Sequence, residues 1–169
     1  MEFHQLIKQR YSVRSYKPDP IDDETLEGIL EAARMAPTAD NQQPFQLIVI
    51  HTRGREGELK RIYRRNWFVA APIMICACGL PEQAWQHKDG KNYIDVDVAI
   101  VMDHLILAAT EAGLGTCWIA AFDRQAARQV LGIPPGVEPI VFTPLGYAAD
   151  QPGTKERKSL SDLVRYEGW

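Results

Sequence analysis

Residues 10–16, Arg-Tyr-Ser-Val-Arg-Ser-Tyr, place arginines and a serine at alternate positions. Guanidinium is fixed in charge and its planar fork matches phosphate oxygens. In extended backbone, residues 10, 12 and 14 point to one side. Arg10, Ser12 and Arg14 would then face one anion. Taken alone, the segment reads more readily as a solvated loop after a helix. Lys155-Glu156-Arg157-Lys158 offers a second group of cations far away in sequence, though such a run is ordinarily a wet face.

Two further segments could meet a ligand. Ala36-Pro37-Thr38-Ala39-Asp40-Asn41-Gln42-Gln43-Pro44-Phe45 is rich in turn residues and amides. Amides both donate and accept, which suits the edge of a heteroaromatic ring. By itself this is a surface turn. Gly113-Leu114-Gly115-Thr116-Cys117-Trp118-Ile119-Ala120-Ala121-Phe122 leaves a long helix through two glycines, which lets backbone approach a ligand closely. It lacks the third glycine and the element order of a dinucleotide fingerprint. Trp118 alone reads as a core residue. Cys76 and Cys78 read as small core residues on a strand, and one Cys-x-Cys is no zinc site. His51, His87 and His104 have no partners at metal-ligand spacing, so no metal is expected.

The elements that must position these groups follow from periodicity. Phe3, Leu6 and Ile7 predict a helix over 2–10. Asp22-Asp23-Glu24 opens a second, whose apolar face is Leu26, Ile29, Leu30 and Ala33 and which Pro37 ends. Strands are predicted at 46–51, 73–78, 116–122 and 139–147. Short helices are expected near 57–66 and at 124–131, the latter capped by Asp123. The loop 80–92 contains Trp85 and His87, and is equally a plain surface loop or a cover over a substrate. Residues 93–113 predict a long helix, apolar on most of its circumference. A domain of this size can seldom surround such a helix, so a partner subunit is expected to cover it. From 148 to 169 the chain is polar, with few packing signals before Leu160 and Leu163.

The 169 residues suit one domain, 1–169, of mixed α and β class. Net charge of −3 gives no global attraction to nucleic acid or anionic lipid. The N-terminus has no basic lead before an apolar run, and no stretch is long and apolar enough to span a membrane. Three cysteines without a leader fit a reducing cytoplasm.

Taken together and in order, these segments resemble the nitroreductase family of flavoproteins. Arg10-x-Ser-x-Arg14 resembles its phosphate-binding opening. Ala36-Pro37…Asn41-x-Gln43-Pro44 resembles its second motif, and the long helix leading into Gly113-Leu-Gly-Thr-Cys-Trp118-Ile119 its third and most specific. Gly146-Tyr147, Lys155-x-Arg157 and Trp169 resemble its C-terminal pattern. Tyr11 stands where arginine is frequent, Phe45 where tryptophan is, and Asp40 and Ala120 where glycine is. The resemblance implies an α+β fold, with a central, mostly antiparallel sheet flanked by helices, in an intertwined homodimer. It implies FMN at the subunit interface. Arg10, Tyr11, Ser12 and Arg14 would hold the phosphate and ribityl end, completed by Lys155 and Arg157. Asn66 would offer an amide to the ring, and the backbone of Cys117, Trp118, Ile119 and Ala120 would face it. Pro37, Thr38, Ala39, Asn41 and Gln43 would reach in from the other subunit. The implied activity is transfer of electrons from NADH or NADPH, via flavin N5, to a nitroaromatic, a quinone or a similar conjugated acceptor in two steps. Reductive dehalogenation, flavin breakdown and a non-catalytic flavin-binding role are the alternatives on such a fold. The loop 80–92 is shorter than the lid of dehalogenase-type members.

Overall fold

A computed structural model describes residues 1–169. Helix α1 (Phe3–Gln9) is followed by α2 (Asp23–Arg34), strand β1 (Phe45–His51), α3 (Glu56–Ile62) and β2 (Ile73–Gly79). Then come α4 (Ile94–Glu111), β3 (Gly115–Thr116), α5 (Arg124–Leu131), β4 (Glu138–Gly146) and α6 (Leu160–Leu163). The four strands form one antiparallel sheet in the order β1-β2-β4-β3.

The sheet is the middle of three layers. Along β2, Ile73, Ile75 and Ala77 pack with α2 and α4, while Met74, Cys76 and Cys78 pack with residues of α3 and α5. Both faces of β2 are therefore covered. That is why it reads as an unbroken apolar run rather than an alternation. The cysteines occupy the α3/α5 side, with sulfurs 3.6 Å apart. Hydrogen bonding to Cys78 and burial push the Cys76 thiol well above its ordinary value, so it is a packing group and not a nucleophile.

Local signals set the helix ends. Asp22 accepts from the Thr25 N–H at 2.8 Å, and Asp123 from the Ala126 N–H at 2.9 Å. Each satisfies a first-turn donor that the helix cannot. Gly132, with φ of 65°, closes α5 in the left-handed region.

Several expectations need correction. The strand expected over 116–122 is only Gly115–Thr116, because Ile119 then makes a lone two-way bridge to Phe142 and the chain turns off the sheet. Helix α3 stops at Ile62, so Asn66 opens a separate 3-10 turn, Asn66–Val69. Trp118 is 43% exposed and does not join the core. The long helix is buried along Val98, Val101, Met102, Leu105 and Ala109, but Val96 is 43% exposed and Asp95, Asp103 and Glu111 face out. Loop 80–92 contains a 3-10 turn, Pro81–Gln83, and a Gln86–Asn92 bridge. No helix is long and apolar enough to cross a membrane.

Candidate functional site

The segment after α1 is extended, as alternation requires. Its Val13 N–H donates to the Thr116 carbonyl at 2.9 Å, and Ser12 bridges Thr116 in parallel. Val13 and Tyr16 point inward, with the Tyr16 hydroxyl donating to the Val13 carbonyl. Burial raises the Tyr16 phenol far above its ordinary range. Arg10, Ser12 and Arg14 are left on the opposite side of the pleat. The approach to β3 is close. A Cβ on Gly115 would lie 2.5 Å from Val13 Cγ2, so glycine is what lets this segment lie against β3.

Asp150 fixes the segment from the other side. Its carboxylate accepts from the Arg14 N–H at 2.8 Å and from the Tyr11 hydroxyl at 3.2 Å. Burial and the Asp150 charge raise the Tyr11 phenol, so Tyr11 remains a neutral donor. The Arg14 guanidinium lies 6.0 Å from the centre of the Trp67 ring, within cation–π range, and donates to the Ser12 carbonyl. Asn66 adjoins that ring.

The distant cations arrive at the same place. Lys155 Nζ donates to the Lys8 carbonyl at the C-terminal end of α1. Partial burial, then the charges of Arg10 and Arg157, lower the Lys155 pKa. Three cations from both ends of the chain thus converge, and their mutual repulsion is a standing deficit of negative charge. A phosphate monoester, at roughly −1.5 to −2 near neutral pH, would supply it. The residues present therefore fit the phosphate end of a mononucleotide.

The strap 117–120 forms the next wall. Cys117 donates its N–H to Thr143 Oγ1, and Ile119 both donates to and accepts from Phe142 at 2.9 Å. Cys117 and Ile119 are buried, whereas Trp118 and Ala120 face outward. Burial raises the Cys117 thiol, and Ser12 lies within its hydrogen-bonding reach. The outward N–H of Ala120 is not engaged by the chain's own backbone.

Residues 37–43 are built with care but stand elsewhere. Asp40, Asn41 and Gln43 have φ of 53°, 52° and 50°, which side chains other than Asn, Asp or Gly seldom adopt. Asp40, standing where the family resemblance leads one to expect glycine, is one of these. The loop is pinned twice. The Gln43 N–H donates to Thr38 Oγ1 at 3.0 Å, and the Ala39 N–H donates to Asp97 Oδ1 at 2.8 Å. Asp97 is 1% exposed, and its other oxygen has no partner.

Asp97 lies in the first turn of α4, while Arg10 lines a cleft of about 160 Å³ with Thr110 in its last. Thirteen residues at about 1.5 Å each separate them by about 20 Å. The sheet agrees. Phe45 pairs at the Gly79 and Glu138 end, whereas Ser12 meets Thr116 at the Leu145 and Gly146 end. Within one chain, then, Arg10, Tyr11, Ser12, Arg14, Asn66, Cys117, Trp118, Ile119, Ala120, Lys155 and Arg157 form one neighbourhood. Pro37, Thr38, Ala39, Asn41 and Gln43 form another.

Sequence reasoning missed Asp97, Asp150 and Trp67. A lone acid on the buried face of an apolar helix was the available signal for Asp97; Asp150 had none. Asp97→Ala is expected to free the 38–43 loop. Leaving a buried N–H without its acceptor costs about 1–3 kcal/mol, so amide exchange at Ala39 should quicken roughly 5- to 150-fold while β2 amides stay protected. Unchanged exchange at Ala39 would show that other contacts hold the loop.

The nitroreductase family model matches residues 7–67 and 60–147. A crystal structure of a nitroreductase family protein from Clostridium difficile 630 superposes with a TM-score of 0.90 at 37% identity, covering 100% of both chains. A Methanothermobacter thermautotrophicus protein, provisionally named NADH dehydrogenase/NAD(P)H nitroreductase, is 29% identical over 174 residues, 100% of this chain and 88% of its own. The FMN reductase (NAD(P)H) of Bacillus subtilis strain 168 is 26% identical over 163 residues, 86% of this chain and 66% of its own.

Proposed function

The chain belongs to the nitroreductase family, and from that premise we propose that it is an FMN-dependent oxidoreductase driven by NADH or NADPH. The observation that carries the reading is the convergence of Arg10, Lys155 and Arg157 beside the extended 10–14 segment. Arg10, Ser12, Arg14, Lys155 and Arg157 would hold the phosphate and ribityl end. Asn66 and the outward N–H of Ala120 would meet the ring.

Bound FMN supplies hydride acceptance and release at N5, chemistry that no side chain offers. The chain's own part is to bind, orient and polarise. The cations and outward main-chain N–H groups would set the electrostatics around the ring. Trp118, with its ring half in solvent, and Trp67 would border the space where a donor and then an acceptor are received. That space suits a flat conjugated acceptor such as a nitroaromatic or a quinone.

The working unit is a homodimer. Two features support this part of the proposal: the 37–43 loop stands about 20 Å from the phosphate end of its own chain, and apolar side chains are left exposed. Phe3, Ile7 and Val96 are uncovered, as are Leu160, Leu163, Tyr166 and Trp169 of the tail. A second copy would cover such surface and bring residues 37–43 to the flavin edge.

The test is a spectrum. Protein saturated with FMN and then desalted is expected to stay yellow and to bleach anaerobically with NADH or NADPH. Failure to retain FMN would overturn the reading. Retention without bleaching would move the protein to a binding role or to flavin chemistry without nicotinamide.

A further inference from the structure

A run of cations next to the flavin-site candidates has no part in the scheme above. Lys60 and Arg61 lie in the last turn of α3, and Arg64 and Arg65 lie between α3 and the 3-10 turn at Asn66. Side-chain ion pairs in the chain are Arg34–Glu31, Arg55–Glu58 and His87–Asp89, which leaves these four outside any ion pair, although the charge of Lys60 is felt at Glu56 one turn away. Lys60 and Arg61 have a structural reason to be there, since cations favour the C-terminal end of a helix dipole. Arg64 and Arg65 stand beyond the helix and have none.

The four line a groove between α3 and α5. One part, of about 490 Å³, is walled by Lys60, Arg61, Arg64 and Gln129. The next, of about 520 Å³, is walled by Arg61, Arg64, Arg65 and Ala121. The parts share Arg61, Arg64 and Asp123, so they adjoin along an open groove. Asp123 is the only acid in the walls, and its carboxylate already caps α5. Arg61 donates to Gln129 across the groove at 3.0 Å, leaving Arg64 and Arg65 uncommitted and Lys60 with only the Glu56 charge at a distance.

The groove opens where the flavin-site candidates end. Ala121 follows the outward Ala120, and the Asp123 N–H bonds to the Ile62 carbonyl at 2.9 Å. On the other side the Tyr63 ring meets Trp67 edge-on at 5.7 Å, and Trp67 carries Arg14.

We propose that the groove lined by Lys60, Arg64 and Arg65 binds the 2′-phosphate of NADPH, so that the protein prefers NADPH to NADH. This rests on the oxidoreductase reading. A phosphate monoester is a dianion with three acceptor oxygens, and paired guanidinium groups with an ammonium match it in charge and geometry. The pyrophosphate common to both donors spreads its charge over two phosphorus centres in mid-chain, and calls less strongly for so concentrated a cluster.

The test uses FMN-loaded protein and the double variant Arg64→Ala, Arg65→Ala. Both residues are exposed, so folding is not at stake, and equal melting temperatures check this. The KM for NADPH is expected to rise about tenfold, an effect tempered by solvent exposure, at unchanged kcat and with the KM for NADH within about twofold. Calorimetric titration with 2′,5′-ADP, which needs no turnover, is expected to weaken by a similar factor. Arg64→Lys, Arg65→Lys should recover part of both. Equal rises for NADH and NADPH, an unchanged KM for NADPH, or no binding of 2′,5′-ADP by the unaltered protein would each overturn the proposal. Protein that retains FMN but bleaches with neither nucleotide would instead count against the oxidoreductase reading, and the 2′,5′-ADP titration would still decide the groove.

Discussion

Arg10→Ala is expected to weaken FMN binding by roughly 10- to 150-fold, the equivalent of about 1.5–3 kcal/mol for one hydrogen bond to a charged group. The expectation comes from the state of the site before any ligand enters. Arg10 and Arg157 both depress the Lys155 pKa, after the contribution of partial burial. The protonated lysine is thus less stable in the folded chain than in water, and a dianion among the three cations would add attractions that outweigh their mutual repulsion. Removing Arg10 would take away a proposed ligand of the anion. It also takes away a repulsion within the empty site, so the flavin-free protein should melt no lower than before. Affinity falls while stability does not, and this combination separates a ligand-binding arginine from a packing one. Arg157→Ala should act in the same direction. The two losses should not simply add, because each variant also alters the repulsion felt by Lys155. Flavin fluorescence quenching on titration with FMN measures the affinity. An affinity unchanged within about twofold in Arg10→Ala would remove Arg10 from the site.

The second large effect concerns stability. Phe142→Ala is expected to destabilise the protein by about 3–5 kcal/mol, lowering the melting temperature by roughly 6–20 °C for a chain of this size. Phe142 is fully buried on the α3/α5 side of β4. Its ring meets Phe122 edge-on at 4.7 Å and Phe68 at 5.9 Å, so truncation leaves a cavity lined by aromatic edges that cannot collapse without moving the Asn66–Val69 turn and the segment before α5. Phe142→Leu, which retains much of the volume, should lose far less. The same residue holds the site through its main chain, since Ile119 both donates to and accepts from it. Flavin affinity should therefore fall in Phe142→Ala even at temperatures where it is folded. A melting temperature lowered by less than about 3 °C would mean that the aromatic cluster is not the keystone of that layer.

Much of this protein was legible in the sequence because local rules decide it. Helix starts at Asp22 and Asp123 follow from capping chemistry, and the two buried faces of β2 follow from its unbroken apolar run. The alternation of Arg10, Ser12 and Arg14 required only extended backbone, and the fold supplies it. The order of motifs along the chain was enough to indicate the family. Elsewhere non-local contacts override local preference. The strand expected over 116–122 shortens because Ile119 bridges Phe142 singly before the chain leaves the sheet, and Trp118 turns outward with it.

Three matters were settled only by the tertiary structure. Asp150 and Asp97 act across 136 and 58 residues of chain, distances over which composition and periodicity carry no information. Lys155 reaches the Lys8 carbonyl because the tail returns to the end of α1, a path that its polar sequence does not announce. And the separation of residues 37–43 from residues 10–14 by the length of α4 depends on which end of that helix each segment meets. The sequence names the groups proposed to hold a flavin; only the packing of α4 against the sheet decides that one chain keeps the two sets apart, because a helix is rigid along its axis and fixes the distance between whatever is fastened to its ends.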